Sequence, residues 1–248
     1  MYHSQSTRHV HSALVALLCL LSWSQEAQGG YLQVSPVRLT LSATQPVDTL
    51  TVRNDGPDST VVQAQPYTWS QEAGEDRYTP SAELLVSPPI FTLPVGGSQI
   101  VRVGLRRAVL LQHELSYRLY LQEVPSPLKA DGLGLQVTLR LGVPVFFSPP
   151  APASPALSWR ASRRLPTTIQ VDLNNGGNTH VQLTSLQLLS AQNEHLLVTQ
   201  KLSTYVLPGQ THSWLINTSA SAPLGARLRL LAQTDVGEVY EELDLAAP

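Results

Sequence analysis

From Tyr31 onward the apolar side chains recur mostly at every second position, in runs of five to nine residues bounded by Gly, Pro, Asn and Asp. A period of two is that of a strand with one face buried, and helical spacing is hardly seen. The runs predict strands over residues 33–41, 47–53, 61–69, 99–105, 117–124 and 133–147. A second set is predicted over 169–173, 181–189, 196–202, 212–216, 228–233 and 238–243. Turn chemistry separates them at Asn54-Asp55-Gly56-Pro57, Val95-Gly96-Gly97, Asp131-Gly132 and Asn174-Asn175-Gly176-Gly177-Asn178.

Between the two sets lies Ser148-Pro149-Pro150-Ala151-Pro152-Ala153-Ser154-Pro155. Four prolines in eight residues cannot supply the donors of an interior strand and favour a stiff extended link. The expected architecture is therefore all-β, with two immunoglobulin-like sandwiches over residues 30–148 and 156–248 and a linker at 149–155. Composition agrees: 14% charged residues, 19 Pro and 15 Gly in 248 argue for many short elements and against coiled coil. With 16 basic against 18 acidic residues the net charge is -2, so there is no overall positive field for nucleic acid.

The first 29 residues depart from the strand pattern. Arg8 precedes the apolar stretch from Ala13 to Leu21, and Ala27-Gln28-Gly29 places small residues where a signal peptidase needs them. The stretch is about nine residues, short of the roughly 20 that cross a bilayer, so a cleaved secretory signal over 1–29 and a soluble mature chain are expected. Cys19, the sole cysteine, leaves with that segment, so no disulfide staples the fold.

The strand predicted over 133–147 carries Leu133, Leu135, Val137, Leu139, Leu141, Val143 and Val145 on one face. Its other face reads Gly134, Gln136, Thr138, Arg140, Gly142 and Pro144. The thirteen residues from Leu133 to Val145, at about 3.3 Å each, span roughly 43 Å, about twice an ordinary strand. Either the apolar row is wholly internal or part of it awaits another chain. Pro144 belongs on an edge, where an added strand would satisfy free backbone groups and place alternate side chains in a partner's pockets.

Several segments together resemble the periplasmic pilus-assembly chaperones of the chaperone-usher pathway. They are Val34-Ser35-Pro36-Val37-Arg38-Leu39, Val52-Arg53-Asn54, and Ser87-Pro88-Pro89-Ile90-Phe91-Thr92-Leu93-Pro94 leading to Gln99-Ile100-Val101-Arg102-Val103. Tyr117-Arg118-Leu119-Tyr120-Leu121-Gln122-Glu123-Val124-Pro125 and the ending Gly142-Val143-Pro144-Val145-Phe146-Phe147 complete the series. The resemblance implies two immunoglobulin-like domains in a boomerang, a periplasmic location, and pilin subunits and an outer-membrane usher as partners. It also implies donor-strand complementation, in which Leu135, Val137, Leu139 and Leu141 supply the side chains of a strand that the pilin lacks.

Many family members hold the pilin C-terminal carboxylate with one basic residue on the first strand and one on the last. Arg38 resembles the first. The usual lysine position falls at Gly142 or Pro144, neither of them basic, so Arg140 is the substitute and Arg102 a further alternative. This departure is more like the archaic or alternative branches. The free chain could cap the same edge by self-association.

No enzyme chemistry stands out. Of the histidines, His113, His180, His195 and His212 follow the leader; they are scattered without metal-ligand spacing and read as surface residues. Ser126-Pro127-Leu128-Lys129 formally matches Ser-x-x-Lys but lacks the companion motifs. No metal, cofactor or small-molecule substrate is expected. The alternative function is a secreted two-domain adhesin or structural module of the same fold.

Overall fold

The computed structural model describes residues 32–106, 112–125, 137–150, 152–192, 194–218 and 227–246. It is all-β, with seventeen strands among those residues. The leader-like segment, Leu135 and the turn at Asp131-Gly132 lie outside them.

The first sandwich has two layers. One contains β1 (Leu32–Ser35), β3 (Val47–Asn54), β8 (Ser98–Leu105) and β6 (Leu84–Ser87), in the order β1-β3-β8-β6. The other has the order β2-β10-β9-β4-β5, built from β2 (Leu39–Leu41), β10 (Arg140–Phe147), β9 (Leu115–Val124), β4 (Thr60–Glu72) and β5 (Glu75–Pro80). Strand β7 (Ile90–Leu93) pairs with β4 off this path. Alternation aims Leu50 and Val52, Val101 and Val103, and Leu119 and Leu121 into a shared core with Val143, Val145 and Phe147.

The run expected as one strand over 33–41 divides in two. Leu32 and Val34 face the core from β1, whereas Leu39 and Leu41 do so from β2, so the inward parity changes from even to odd. Pro36, Val37 and Arg38 form the crossover from one layer to the other, because proline supplies no donor to continue a ladder. The long final strand is also shorter than expected: its ladder starts at Arg140, and residues 137–139 precede it without strand pairing.

The second sandwich contains β11 (Leu157–Leu165), β12 (Thr168–Asn175) and β15 (Thr211–Asn217) in one layer. The other holds β14 (Leu196–Val206), β13 (Val181–Ser190), β16 (Arg227–Thr234) and β17 (Gly237–Ala246). The layers join where β17 pairs with β11 in parallel at Leu245 and Ala246. Ile169, Val171, Leu173, Leu183, Leu186, Leu188, Leu228 and Leu230 fill the core between them.

Both sandwiches fasten one turn with the same device. The Asn54 side chain accepts from the Gly56 N–H at 2.9 Å and donates to the carbonyls of Asp58 at 2.8 Å and Leu93 at 3.2 Å. The Asn175 side chain accepts from the Gly177 N–H at 3.1 Å and donates to those of Thr179 at 2.7 Å and Val206 at 3.0 Å. An asparagine amide suits this place because it caps its own turn two residues on and still reaches another strand with its donors.

Candidate functional site

Strand β10 is flanked on both sides only over its last three residues. It pairs antiparallel with β9 along its whole length, from Arg140↔Gln122 to Phe147↔Leu115. Strand β2 covers the opposite side in parallel at Val145↔Leu39, Phe146↔Thr40 and Phe147↔Leu41. Along Arg140–Pro144 that side has no partner strand among the described residues. Pro144 therefore sits where the ladder opens, as its missing donor requires.

The apolar row divides at the same place. Val143, Val145 and Phe147 are fully in the domain's own core, Leu139 and Leu141 are half-buried against it, and Val137 is 73% exposed. The row thus runs from a buried end to a bare one.

The outward face of this layer meets the second sandwich. Trp69 and Phe146 pack there against Leu207, flanked by Tyr78 and Tyr205. The His180 ring stacks on Phe146 with centroids 3.6 Å apart, and its Nδ1 lies 2.6 Å from Glu114 Oε1. His180 is therefore wedged between the sandwiches, not on the surface where its sequence context placed it; packing against Phe146 supplies the burial. The Gln71 amide donates to the Tyr205 carbonyl at 2.8 Å and accepts from the Leu207 N–H at 2.9 Å.

Arg38 reaches into this junction. Its Nη1 donates to Asp235 Oδ2 at 2.7 Å, while Asp235 Oδ1 accepts from the Gln182 N–H at 2.9 Å. Burial opposes the Arg38 charge, but the Asp235 hydrogen bond and charge outweigh it and raise its pKa. Burial also raises the Tyr205 phenol, against the pull of Arg38 and then of Arg118. Both guanidinia therefore act on one phenol.

Arg118 was not singled out from the sequence. It lies on β9 directly opposite Pro144, with its guanidinium 4.1 Å from the Trp69 ring centroid and Nη2 donating to Tyr78 Oη at 3.3 Å. Asp76 fixes that platform by accepting from Trp69 Nε1 at 2.9 Å and from Tyr78 Oη at 2.8 Å. Among the described residues no carboxylate lies within ion-pair distance of Arg118. The available signal was aromatic: Trp69, Tyr120 and Phe146 share the outward parity of their strands.

The two other candidates stand apart. Arg140 lies over the Tyr120 ring at 3.8 Å, four residues before Pro144, and so about 13 Å up the strand. Arg102 is on β8, paired with Thr49 and Ser87 in the opposite layer, and does not face the junction. Neither is brought together with Arg38, because strand position and layer, which no local pattern encodes, decide what an arginine faces.

Residues 31–153 match the family model for the N-terminal domain of PapD, a pili and flagellar-assembly chaperone. This chain belongs to the pilus-assembly chaperones. The chaperone is similar in fold to a chain of the CsuC–CsuE chaperone-tip adhesion subunit complex from archaic chaperone-usher Csu pili of Acinetobacter baumannii. That match has 20% identity, covers 88% of this chain and 99% of the other, and has a TM-score of 0.62. It is also similar to a chain of the Salmonella enterica SafA pilin–SafB chaperone complex, at 17% identity over 88% and 98% of the two chains with a TM-score of 0.60. The Pseudomonas aeruginosa CupB2 chaperone matches at 20% identity over 86% and 100%, with a TM-score of 0.57. No curated protein matches the sequence.

Proposed function

We propose that this chaperone works in the periplasm, reached through the leader at residues 1–29. There it holds pilin subunits by donor-strand complementation until an outer-membrane usher takes them. Membership of the family supports a non-enzymatic role. The observation that carries the reading is the half-open β10 edge. Among the described residues Arg140–Pro144 has about 16 Å of backbone edge without a partner strand, beside an apolar row that becomes progressively exposed toward Val137. A strand added there is collinear with β2 and must end before Leu39, beside Arg38. Such an addition satisfies the edge and lets Val137, Leu139 and Leu141, with Leu135 ahead of them, enter the partner's open groove. Arg38 then meets the end of the partner strand.

The test is co-expression with each small secreted protein encoded beside the chaperone, followed by co-purification and a melting curve. Val137→Asp should leave the midpoint unchanged because the side chain is already exposed, while sharply lowering pilin recovery. Val47→Asp, at an exposed site in the opposite layer, should recover parental amounts. Parental recovery by Val137→Asp would contradict the donor-strand assignment.

A further inference from the structure

Asn175-Gly176 is the one place in the 248 residues where asparagine is followed by glycine. A glycine there leaves the next backbone nitrogen unscreened by any side chain, so that nitrogen can attack the asparagine amide carbon. Gly177 is demanded by packing, since a Cβ on it would overlap the Ser154 carbonyl and lie 2.5 Å from the Ala156 nitrogen. Gly176 is under no such demand. Its backbone lies outside the left-handed region, and a Cβ would meet only Asn174 Oδ1 at 3.7 Å and the Ala156 carbonyl oxygen at 3.8 Å, both ordinary contacts. The fold therefore accepts a side chain at the very position whose glycine makes Asn175 reactive.

In the folded chain the attack is blocked from every side. Asn175 is fully buried, and its Nδ2 donates to the carbonyls of Thr179 at 2.7 Å and Val206 at 3.0 Å. Its Oδ1 accepts from the Gly177 N–H at 3.1 Å and the Ala156 N–H at 3.3 Å. The attacking nitrogen is occupied as well, because the Gly176 N–H donates to the Ala156 carbonyl at 2.8 Å. The Asn175 backbone is pinned too: its N–H donates to the Gln210 carbonyl at 2.9 Å, and its carbonyl accepts from the Gly209 N–H at 2.7 Å. Ring closure would have to break most of these bonds at once. Asn54 plays the same part in the first sandwich but is followed by Asp55, so that copy lacks the reactive pairing.

We propose that Asn175-Gly176 is a self-modification site, closed while the second sandwich is folded and open once it unfolds, which makes prolonged unfolding of this chaperone irreversible. The Gly176 nitrogen bonds to Asn175 Cγ, the Cγ–Nδ2 bond breaks, and the proton of the attacking nitrogen leaves with the amine as ammonia. Water then opens the resulting cyclic imide at one of its two carbonyls. The product is aspartate or, with the main chain rerouted through the side chain, isoaspartate. Neither fits the native place. Aspartate turns a carboxylate oxygen toward the Thr179 and Val206 carbonyls in a site closed to solvent. Isoaspartate adds a backbone carbon where Gly176 and Asn178 fasten the turn to Ala156 and Ser154 of the preceding segment. The same turn holds the first sandwich, because the Asn178 carbonyl accepts from the Glu114 N–H at 2.8 Å. A chain modified while unfolded therefore lacks both the second sandwich's fastening and its tie to the first.

The test holds the purified chaperone at mildly alkaline pH with and without guanidinium chloride. Mass spectrometry of the peptide spanning Asn175 then reads the gain of one mass unit and the presence of isoaspartate. The denatured sample should be modified at Asn175 at least about a hundredfold faster than the native one, because the folded state opens only a small fraction of the time. Asn54, followed by aspartate, should stay intact and serves as the internal reference. After removal of denaturant, the refolded yield should fall in step with the modified fraction, and the chains left unfolded should be the modified ones. Gly176→Ala should keep the parental melting midpoint and hold its refolding yield over the same interval. Equal modification rates in the two samples would show that the fold does not guard the site, and modified chains that regain the parental midpoint would show that the lesion is harmless. Either result overturns the assignment, as does a Gly176→Ala protein that loses refolding yield as fast as the parent. The peptide map and refolding yield of the parent give the answer by themselves if the alanine variant does not fold.

Discussion

Replacing Gln71 by glutamate changes one donor group at the junction of the two sandwiches while leaving its volume intact. The amide donates to Asp76 Oδ1 at 2.9 Å and to the Tyr205 carbonyl at 2.8 Å, and its oxygen accepts from Leu207. In Gln71→Glu both donated bonds vanish and the accepted one survives. Each lost bond removes about 1 kcal/mol, and a carbonyl left without a donor in a buried place costs about 1 to 3 kcal/mol. The new carboxylate also faces Asp76. At an effective dielectric of about 20 that repulsion reaches about 5 to 6 kcal/mol, a ceiling that proton uptake cuts short. The expected loss near neutral pH is about 3 to 5 kcal/mol.

The sign of the pH response follows from the same contact. Burial and the neighbouring acid raise the introduced group's pKa in the folded state above its unfolded value, so the folded state binds more protons as pH falls. The deficit relative to the parent is therefore largest at neutral pH and shrinks on mild acidification. Urea denaturation of both proteins at the two pH values measures it. A variant within about 0.5 kcal/mol of the parent at neutral pH would show that Gln71 does not hold the sandwiches together.

Asn54→Ala and Asn175→Ala should each cost about 2 to 4 kcal/mol in chemical denaturation, since each strands buried carbonyls and a turn N–H; a loss below about 1 kcal/mol in either would refute the shared device. Gly142→Ala, whose Cβ would lie 3.1 Å from Tyr120 Cε1 and 3.3 Å from Arg118 Cδ, should cost about 1 to 3 kcal/mol in chemical denaturation. Parental stability would show that the two side chains give way freely. Burial pushes the Tyr78 phenol up to about 12 from 10.0, so stability is whole below about pH 10 and falls as pH rises toward about 12. Tyr78→Phe should flatten that fall, and parallel alkaline denaturation curves would contradict it.

What the sequence disclosed tracks which interactions are local. Leu50 and Val52, or Leu119 and Leu121, announce their strands because each inward residue alternates with an outward one along the same segment. Strands β5 to β7 escape notice because Glu75–Pro80 is exposed and polar, and because β6 and β7 are four residues each, too short for a period to register. Strand β11 is hidden by its arginines. Arg38 was singled out through the segment around it, whereas Arg118 looked like any outward strand arginine. Only the approach of Tyr205, 87 positions further along the chain, turns that face into an interior. His180 was misread for the same reason.

The stretch from Tyr205 to Leu207 serves two ends at once: its backbone clasps Gln71, and its phenol feels the charge of Arg38 and then of Arg118. One stretch of the second sandwich therefore belongs both to the contact with Gln71 and to the surroundings of Arg38 and Arg118. Bending the sandwiches apart by a few ångströms would lift the phenol away and admit water over Pro144, where screening weakens the field of both arginines.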